Sequence, residues 1–212
     1  MTAAMSAPDR HLDGFDVSRE TKEKLGLLES ELRRWQAIKN LVGPGTLDHI
    51  WDRHIVDSLQ LLELAPRAKT WLDLGSGAGF PGLVLAIAGY ERGLQVDLVE
   101  SNSRKCAFLR HIARLTGARA KVHEARLETV IPAFVGKADI VSARALASLA
   151  KLVEWTEPLL KTGTTGLFPK GRDAESELTE ARESWTFDLE ILPSRTDADA
   201  RILRITSIES LS

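Results

Sequence analysis

From Lys69 onward, short apolar runs alternate with segments of helical periodicity, and this alternation restricts the possible folds more than any other feature. The apolar runs have the length of strands, whereas the segments between them carry apolar residues three and four positions apart. Strands and helices in alternation imply right-handed crossovers, and therefore a parallel sheet with helices on both faces. The sequence thus predicts a doubly wound α/β domain.

Seven segments are predicted strands: TWLDL, LQVDLVE, AKVHEA, ADIVSARA, TTGLFPKG, TFDLEILPS and ARILRITSI. The last two are joined by a short connection and can pair as a hairpin, so one of them should run antiparallel to the other strands. Four segments between the strands are predicted helices: GLVLAIAGY, SRKCAFLRHIARLTG, LASLAKLVEWTEPLLKTG and AESELTEARES. We therefore expect a mostly parallel, seven-stranded sheet with one antiparallel strand.

The part of the chain before this alternation has a different composition. Residues 1–16 are small and polar, which predicts a disordered tail. Residues 17–66 predict a helical extension of two helices. Ser18 would cap the first, which the GPG sequence would end, and Thr46 would cap the second. Residues 67–212 would then form the α/β domain.

Composition and charge limit the functional classes. The only cysteine, Cys106, excludes an internal disulfide framework and is typical of a reducing cytosol. The chain has no apolar run of transmembrane length and no signal-peptide pattern at its start, so we expect a cytoplasmic protein that does not contact membranes. The net charge of −2 argues against a general polyanion binder.

The charges are nevertheless unevenly distributed. Residues 101–126 contain seven lysines and arginines against one acid, and residues 173–190 contain seven acids against one arginine. The basic segment could face phosphate groups. Two solvated helix faces of opposite charge would give the same pattern, so the charge alone leaves both interpretations open.

A glycine-rich turn follows the first predicted strand. The four glycines within eight positions are Gly75, Gly77, Gly79 and Gly82. Ligands of doubly wound sheets bind at the carboxyl ends of the strands, where small residues let them approach the backbone and a helix offers free N–H groups. The dinucleotide pattern G-x-G-x-x-G fails from the first glycine because Phe80 occupies the last position, and from the second it includes Pro81. The turn fits D-x-G-x-G-x-G better, beginning at Asp73.

A carboxylate at the end of the second predicted strand supports a nucleoside ligand. Glu100 can accept hydrogen bonds from both ribose hydroxyls, a role that would serve NAD equally well. These residues therefore leave two cofactors open. The turn itself resembles motif I of the class I S-adenosylmethionine-dependent methyltransferases.

Further segments occur in a fixed order around this turn: RRWQAIKN followed by LVG, HIVDSL, DLGSGAGFPGLVLAI, RKCAFL, VSARALASL and FPKG. Together they resemble the bacterial 16S ribosomal RNA small subunit methyltransferase G family over about residues 32–171. The chain differs in having Ala143-Arg144-Ala145 where the family has Ser-Arg-Ala, and Lys105-Cys106 where Lys-Arg is common. The basic groups at both places are retained.

The resemblance implies a class I methyltransferase fold with a helical N-terminal extension. It also implies transfer of a methyl group from S-adenosyl-L-methionine to N7 of a guanine in the 530 loop of 16S rRNA, with S-adenosyl-L-homocysteine as the other product. The glycine turn, the strand-end carboxylate and the resemblance together predict the cofactor-binding residues. These are Asp73, Gly75, Gly77, Gly79, Phe80, Glu100, Leu127, Glu128 and Arg144. The substrate would be the naked RNA, an assembly intermediate or the small ribosomal subunit, and we expect a monomer.

The chemistry of guanine N7 needs few special groups, since the atom has a free lone pair and no proton to lose. Accordingly we predict no certain catalytic residue and no metal site. The candidates for positioning the substrate are Arg144, Lys170 and His54. The candidates for binding RNA phosphates are Arg104, Lys105, Arg110, Arg114 and Lys170. Cys106 fits the apolar side of its helix and is predicted to lie in the core.

Three other functions remain compatible with the residues. A class I methyltransferase for a small molecule or a protein would have the same turn and the same strand-end acid. A nicotinamide oxidoreductase is opposed by Phe80 at the third glycine position. An RNA-binding protein with a vestigial cofactor pocket would keep its function without Arg144.

Overall fold

The computed structural model of this chain describes residues 12, 14–39, 41–43 and 45–211. Its strands are β1 (Thr70–Leu74), β2 (Gln95–Glu100), β3 (Ala120–Glu124), β4 (Ile140–Ala143), β5 (Thr165–Lys170), β6 (Trp185–Pro193) and β7 (Arg201–Ser210). The predicted disordered tail falls largely outside the described residues, since residues 1–11 and 13 are not among them.

The α-helices are α1 (Arg19–Lys39), α2 (Asp57–Leu64), α3 (Gly82–Ala88), α4 (Ser103–Thr116), α5 (Leu127–Val130), α6 (Leu149–Leu160) and α7 (Ala174–Ala181). Two 3-10 turns span Thr46–His49 and Ile131–Phe134, and a π-helical segment spans Trp51–Val56. No helix in the described part of the chain is long and apolar enough to cross a bilayer.

The strands form one sheet in the order β3-β2-β1-β4-β5-β7-β6. The pairs from β3 through β5 are parallel, and β7 runs antiparallel to both of its neighbours. The predicted seven strands and the single antiparallel strand are therefore confirmed. The order reverses between β1 and β4, so the carboxyl ends of these two strands mark the expected ligand site.

Two hydrophobic cores cover the two faces of the sheet. One contains leucines of α1 and α2 together with α3 and α4, and the other packs α6 and α7 against the opposite face. Cys106 lies fully buried in α4, as predicted. The N-terminal helices thus share a core with the sheet, and a boundary between an extension and a domain at residue 66 stays a prediction.

The N-terminal helices differ from the prediction in detail. Ser18 does cap α1, because its hydroxyl oxygen accepts the backbone N–H of Thr21 at 3.2 Å. The helix nevertheless ends at Lys39, before the GPG sequence. Beyond it the side-chain oxygen of Gln36 accepts the backbone N–H groups of residues 41 and 42, at 2.6 and 2.9 Å, and so supports a non-helical exit.

The second predicted N-terminal helix is also not continuous. Its N-cap is Gly45, with a left-handed φ of 76°, rather than Thr46. The segment then passes from the 3-10 turn through the π-helical segment Trp51–Val56 into α2. A π-turn inserts one extra residue and is often found at functional sites. Here it carries His54.

Candidate active site

The glycine turn after β1 is held against its neighbours by backbone geometry. Gly75 has a φ of 65°, in the left-handed region that glycine adopts at no steric cost, and a Cβ there would lie 2.6 Å from a methyl group of Leu146. The backbone N–H of Ser76 donates to the carbonyl oxygen of Val99, at 3.0 Å, which ties the turn to β2. The turn therefore brings bare backbone to the carboxyl edge of the sheet.

Asp73 lies beneath the turn rather than on the surface of a cavity. It is fully buried, and its carboxylate accepts the Ser142 hydroxyl at 2.7 Å and the backbone N–H of Gly82 at 3.3 Å. The indole N–H of Trp71 in turn donates to the Ser142 oxygen at 2.8 Å. Burial raises the pKa of Asp73 to about 6. The carboxylate of Asp73 therefore supports the turn and the start of α3, and its part in cofactor binding stays a prediction.

Glu100, at the end of β2, has both of its carboxylate oxygens held by backbone N–H groups. One carboxylate oxygen accepts the backbone N–H of Gly77 at 2.9 Å, and the other accepts that of Asn102 at 2.8 Å. A carboxylate has about four lone-pair sites, so two remain for a ligand. The two backbone contacts fix the carboxylate, and they give Gly77 an indirect part in the site.

A cavity of about 370 Å³ opens beside Glu100. Its lining residues are Gly75, Val99, Glu100, Ser101, Lys105, Ala125, Arg126, Leu127, Glu128, Ala145, Leu146 and Trp155. Four of the predicted cofactor residues are among them, whereas Gly77, Gly79 and Phe80 lie outside this lining. The nucleoside of S-adenosylmethionine could bind in this cavity for three reasons. The turn exposes its backbone, the carboxylate oxygens are fixed, and the lining combines apolar with polar side chains. The residues present therefore fit this cofactor.

A second cavity, of about 590 Å³, adjoins the first across Ala145, which lines both. It lies over the ends of β4 and β5, and its other walls come from the π-helical segment and the connection between β6 and β7. The charged and imidazole side chains that line it are His49, Arg53, His54, Asp57, Arg144, Lys170, Glu177, Asp197 and Arg201. A group bound in the second cavity would be separated from a ligand of the first cavity by Ala145.

Arg144, directly after β4, is held by the N-terminal elements. Its Nη2 donates to the carbonyl oxygen of Arg53 at 2.7 Å and lies 2.7 Å from Nδ1 of His54. Its Nε lies 3.5 Å from a carboxylate oxygen of Asp57. The other terminal nitrogen, Nη1, is buried with no hydrogen-bond partner among the described residues. A buried donor without a partner is costly, so Nη1 is a candidate for binding an acceptor of a ligand.

His54 connects this arginine with the glycine turn. Its ring lies against Phe80, with the centroids 5.2 Å apart and the planes inclined by 34°. Burial, and then the positive charge of Arg144, lower the pKa of His54 to about 4. The imidazole is therefore neutral at physiological pH. Phe80 thus packs against His54, and its role as a cofactor contact stays a prediction.

Lys170 was predicted both to position the substrate and to bind RNA phosphate, and the structure opposes the second role. Its ammonium group is 2.7 Å from a carboxylate oxygen of Glu177 and donates to the carbonyl oxygen of Ala147 at 2.7 Å. The side chain is almost entirely buried. A paired, buried lysine holds the cavity wall together and is not free to neutralise a phosphate.

The basic side chains of α4 do not form one continuous track at the site. The side-chain oxygen of Asn102 caps the helix on the backbone N–H groups of Arg104 and Lys105, so these two lie in its first turn, at the carboxyl edge of the sheet. Arg114 lies ten residues further, about 15 Å away along the helix axis. Arg110 pairs with Glu124 at 2.7 Å. Only the first turn is therefore beside the cofactor cavity.

Ser194 and Thr196, in the connection between β6 and β7, line the second cavity and were not predicted. Asp57 accepts hydrogen bonds from Thr196 at 3.0 Å and Ser194 at 3.4 Å, so it joins Arg144 to the connection between β6 and β7. No local pattern signals a contact between residues so distant in sequence. Among the described residues, no group of three or more histidine, cysteine, aspartate or glutamate side chains is arranged to hold a metal ion.

Comparisons with known proteins agree with this geometry. A family model described as rRNA small subunit methyltransferase G matches residues 21–201. The ribosomal RNA small subunit methyltransferase G of Methylobacterium radiotolerans is 62% identical over 210 residues, which are 98% of this chain and 99% of that protein. The protein of the same name from Parvibaculum lavamentivorans is 50% identical over 195 residues, which are 91% of this chain and 86% of that protein.

Solved structures support the fold independently. A variant of MtNAS in complex with S-adenosylmethionine has a TM-score of 0.56 at 14% identity, over 89% of this chain and 72% of that chain. Ribosomal protein L11 methylase from Lactobacillus delbrueckii has a TM-score of 0.55 at 20% identity, over 71% and 76%. The fold is thus that of the class I methyltransferases with a helical N-terminal extension. The chain belongs to the rRNA small subunit methyltransferase G family, and its cofactor is S-adenosyl-L-methionine.

Proposed function

We propose that this protein methylates N7 of a guanine in the 530 loop of 16S rRNA. Membership of the family makes a small-subunit rRNA the substrate, and the finer target follows from the resemblance described above. The observation that carries the proposal is the pair of adjoining cavities, one suited to a nucleoside and the other lined by basic, acidic and imidazole groups, with Ala145 in both linings.

In this proposal the first cavity holds the cofactor. Glu100 binds the ribose hydroxyls through its free lone pairs, and Leu127 and Leu146 lie against the adenine ring. When bound, S-adenosylmethionine supplies a methyl group on a sulfonium, which is electrophilic without further activation. Gly75 leaves room at the turn, and Arg144, which lines the adjoining second cavity, would face the methionine end of the cofactor.

The residues of the second cavity bind and orient the base and exclude water. Guanine N7 is a hydrogen-bond acceptor with an available lone pair, so no group has to remove a proton from it. This agrees with the neutral, weakly basic His54 and with the ion pair of Lys170 and Glu177. Rate acceleration would come from alignment of the two reactants.

RNA recognition would add phosphate contacts outside the cavities. Arg104 and Lys105 lie in the first turn of α4 next to the cofactor cavity, and Arg53 lines the second cavity with its side chain largely exposed. These groups would position the RNA, whereas the cavity would select the base. The substrate would be the small subunit or an assembly intermediate, and a monomeric enzyme in the cytoplasm would act on it.

The test is methyl transfer from labelled S-adenosylmethionine to 30S subunits purified from a strain that lacks this gene, followed by mapping of the labelled nucleotide. We expect label on N7 of one 530-loop guanine. The Glu100→Gln variant should lose cofactor affinity, while Glu209→Gln, on the exposed end of β7, is the matched control and should keep it. Label on a protein or on a small molecule instead of the rRNA would overturn the proposal.

A further inference from the structure

The contact between Arg144 and His54 fixes the protonation of the imidazole. A guanidinium has five N–H donors and no acceptor, so the nitrogen facing it must offer a lone pair. Nη2 of Arg144 lies 2.7 Å from Nδ1 of His54. Nδ1 is therefore unprotonated, and the single proton of the neutral ring must be on Nε2.

The protonated nitrogen is available to a ligand. His54 lines the second cavity, and its Nε2 makes no hydrogen bond to any of the residues that the structure describes. Phe80 packs against the ring on the side of the glycine turn, and the backbone around it belongs to the π-helical segment. The ring is thus held on two sides and presents one donor, which cannot act as an acceptor in this tautomer.

This donor discriminates between the two purines. On the edge that carries N7, guanine presents two acceptors, N7 and O6, whereas adenine presents an acceptor at N7 and an amino donor at N6. A neutral N–H donor next to N7 would bind O6 of guanine and would meet the amino group of adenine. N7 itself would keep its lone pair free for the methyl group.

We propose that the Nε2–H group of His54 donates a hydrogen bond to O6 of the target guanine and thereby selects guanine over adenine. This inference rests on the proposed function, since it assigns the residue that recognises the target base in that same site. Arg144 acts through His54 as a positioning residue: it holds the tautomer that makes Nε2 a donor.

The charge of the product favours a neutral imidazole at His54 as the group that contacts the base. Methylation at N7 leaves a positive charge on the base, so an imidazolium in contact with O6 would oppose the reaction. Burial and the neighbouring arginines keep the pKa of His54 at about 4, well below physiological pH. The positive charge of Arg144 is itself opposed by the carboxylate of Asp57 at 3.5 Å.

The experiment compares two variants on three substrates. Asparagine at position 54 can reach the place of Nδ1 and keeps an acceptor for Arg144, whereas glutamine can place an amide N–H near Nε2. The substrates are 30S subunits reconstituted with 16S rRNA whose target guanine is unchanged, replaced by 2-aminopurine, which lacks O6, or replaced by inosine, which keeps O6 but lacks the 2-amino group. The measured quantity is kcat/KM for methyl transfer.

On guanine and on inosine, we expect His54→Asn to lower kcat/KM about tenfold and His54→Gln to lower it about threefold or less, the size of one hydrogen bond. The kcat/KM of the wild-type enzyme should be about tenfold lower on 2-aminopurine than on guanine. On 2-aminopurine, His54→Asn should lower kcat/KM further by less than about twofold. Cofactor affinity of the His54→Asn variant should match that of the wild type, because its side-chain oxygen retains the contact with Arg144.

Two results would overturn the inference while leaving the proposed function intact. One is a His54→Asn penalty of the same size on guanine and on 2-aminopurine. The other is wild-type turnover of 2-aminopurine as fast as that of guanine, which can be measured even if a variant fails to fold. By contrast, a wild-type enzyme that does not methylate the unmodified subunit would refute the proposed function itself.

Discussion

Gly82, the first residue of α3, offers a sharp test of the packing beneath the site. A Cβ at this position would collide with a methyl group of Leu98 and would lie 2.6 Å from a carboxylate oxygen of Asp73. The backbone N–H of Gly82 already donates to that same oxygen at 3.3 Å. Gly82→Ala therefore forces either the leucine or the buried carboxylate to move.

Two effects of opposite sign determine the result. Alanine is favoured over glycine in a helix by about 1 kcal/mol. Overpacking of a core costs about 1–3 kcal/mol, and loss of a hydrogen bond to a buried carboxyl costs about 1.5–3 kcal/mol. Because these two costs together exceed the gain in helix propensity, we expect Gly82→Ala to lower the free energy of unfolding by about 2–4 kcal/mol.

Gly26 in the middle of α1 is the matched control, because a Cβ there meets no atom within 4 Å. Gly26→Ala keeps the helix-propensity gain and should raise Tm by about 2–4 °C, whereas Gly82→Ala should lower Tm by at least about 4 °C. Urea denaturation of both variants gives the free energies directly. Equal stabilisation by the two substitutions would refute the packing argument.

Three further outcomes are expected. Because burial raises the pKa of Asp73 to about 6, above its ordinary value of 3.8, the folded protein binds this proton more tightly than the unfolded chain. The free energy of unfolding should therefore fall by up to about 3 kcal/mol as the pH rises from about 4 to about 6. Urea denaturation of Asp73→Asn should show a weaker dependence of this free energy on pH. The same pH dependence in the variant and the wild type would contradict the assignment. Gly75→Ala should weaken S-adenosylmethionine binding about tenfold by calorimetry, since its left-handed φ and the contact with Leu146 oppose a side chain. Charge reversal at Lys105 should weaken binding to 30S subunits more than reversal at Arg114, with the difference largest at low salt; equal effects would place the RNA along the whole helix.

The architecture could be predicted because it is encoded locally. Strand-type apolar runs and helix periodicity predict the strands and helices of the sheet region, and the short connection before β7 predicts its antiparallel pairing. The segment after Gly45 could not be predicted in the same way. Its apolar positions fit a continuous helix, whereas the structure divides it into 3-10, π and α segments, which tertiary contacts select.

The site was predictable where one strand end determines a residue's place. Glu100 ends a strand at the carboxyl edge of the sheet and lines the cofactor cavity, as does Leu127, which the family resemblance implied. Asp73 also ends a strand, but its side chain points into the sheet, where Ser142 of the neighbouring strand binds it. The pairing of Lys170 could not be predicted, because its partner, Glu177, lies on the following helix and only the fold brings the two charges together.

The wall of the second cavity has a consequence for the order in which the enzyme is completed during synthesis. Asp57 binds Thr196, and the side-chain oxygen of Gln60 accepts the backbone N–H of Arg195 at 3.0 Å, so this wall joins segments more than 130 residues apart. No residue beyond Trp155 is among those that line the cofactor cavity. Because the ribosome delivers the chain from its N-terminus, every residue that lines the cofactor cavity is synthesised before the C-terminal wall of the second cavity. The protein would acquire its own substrate site only after the last hairpin has left the ribosome.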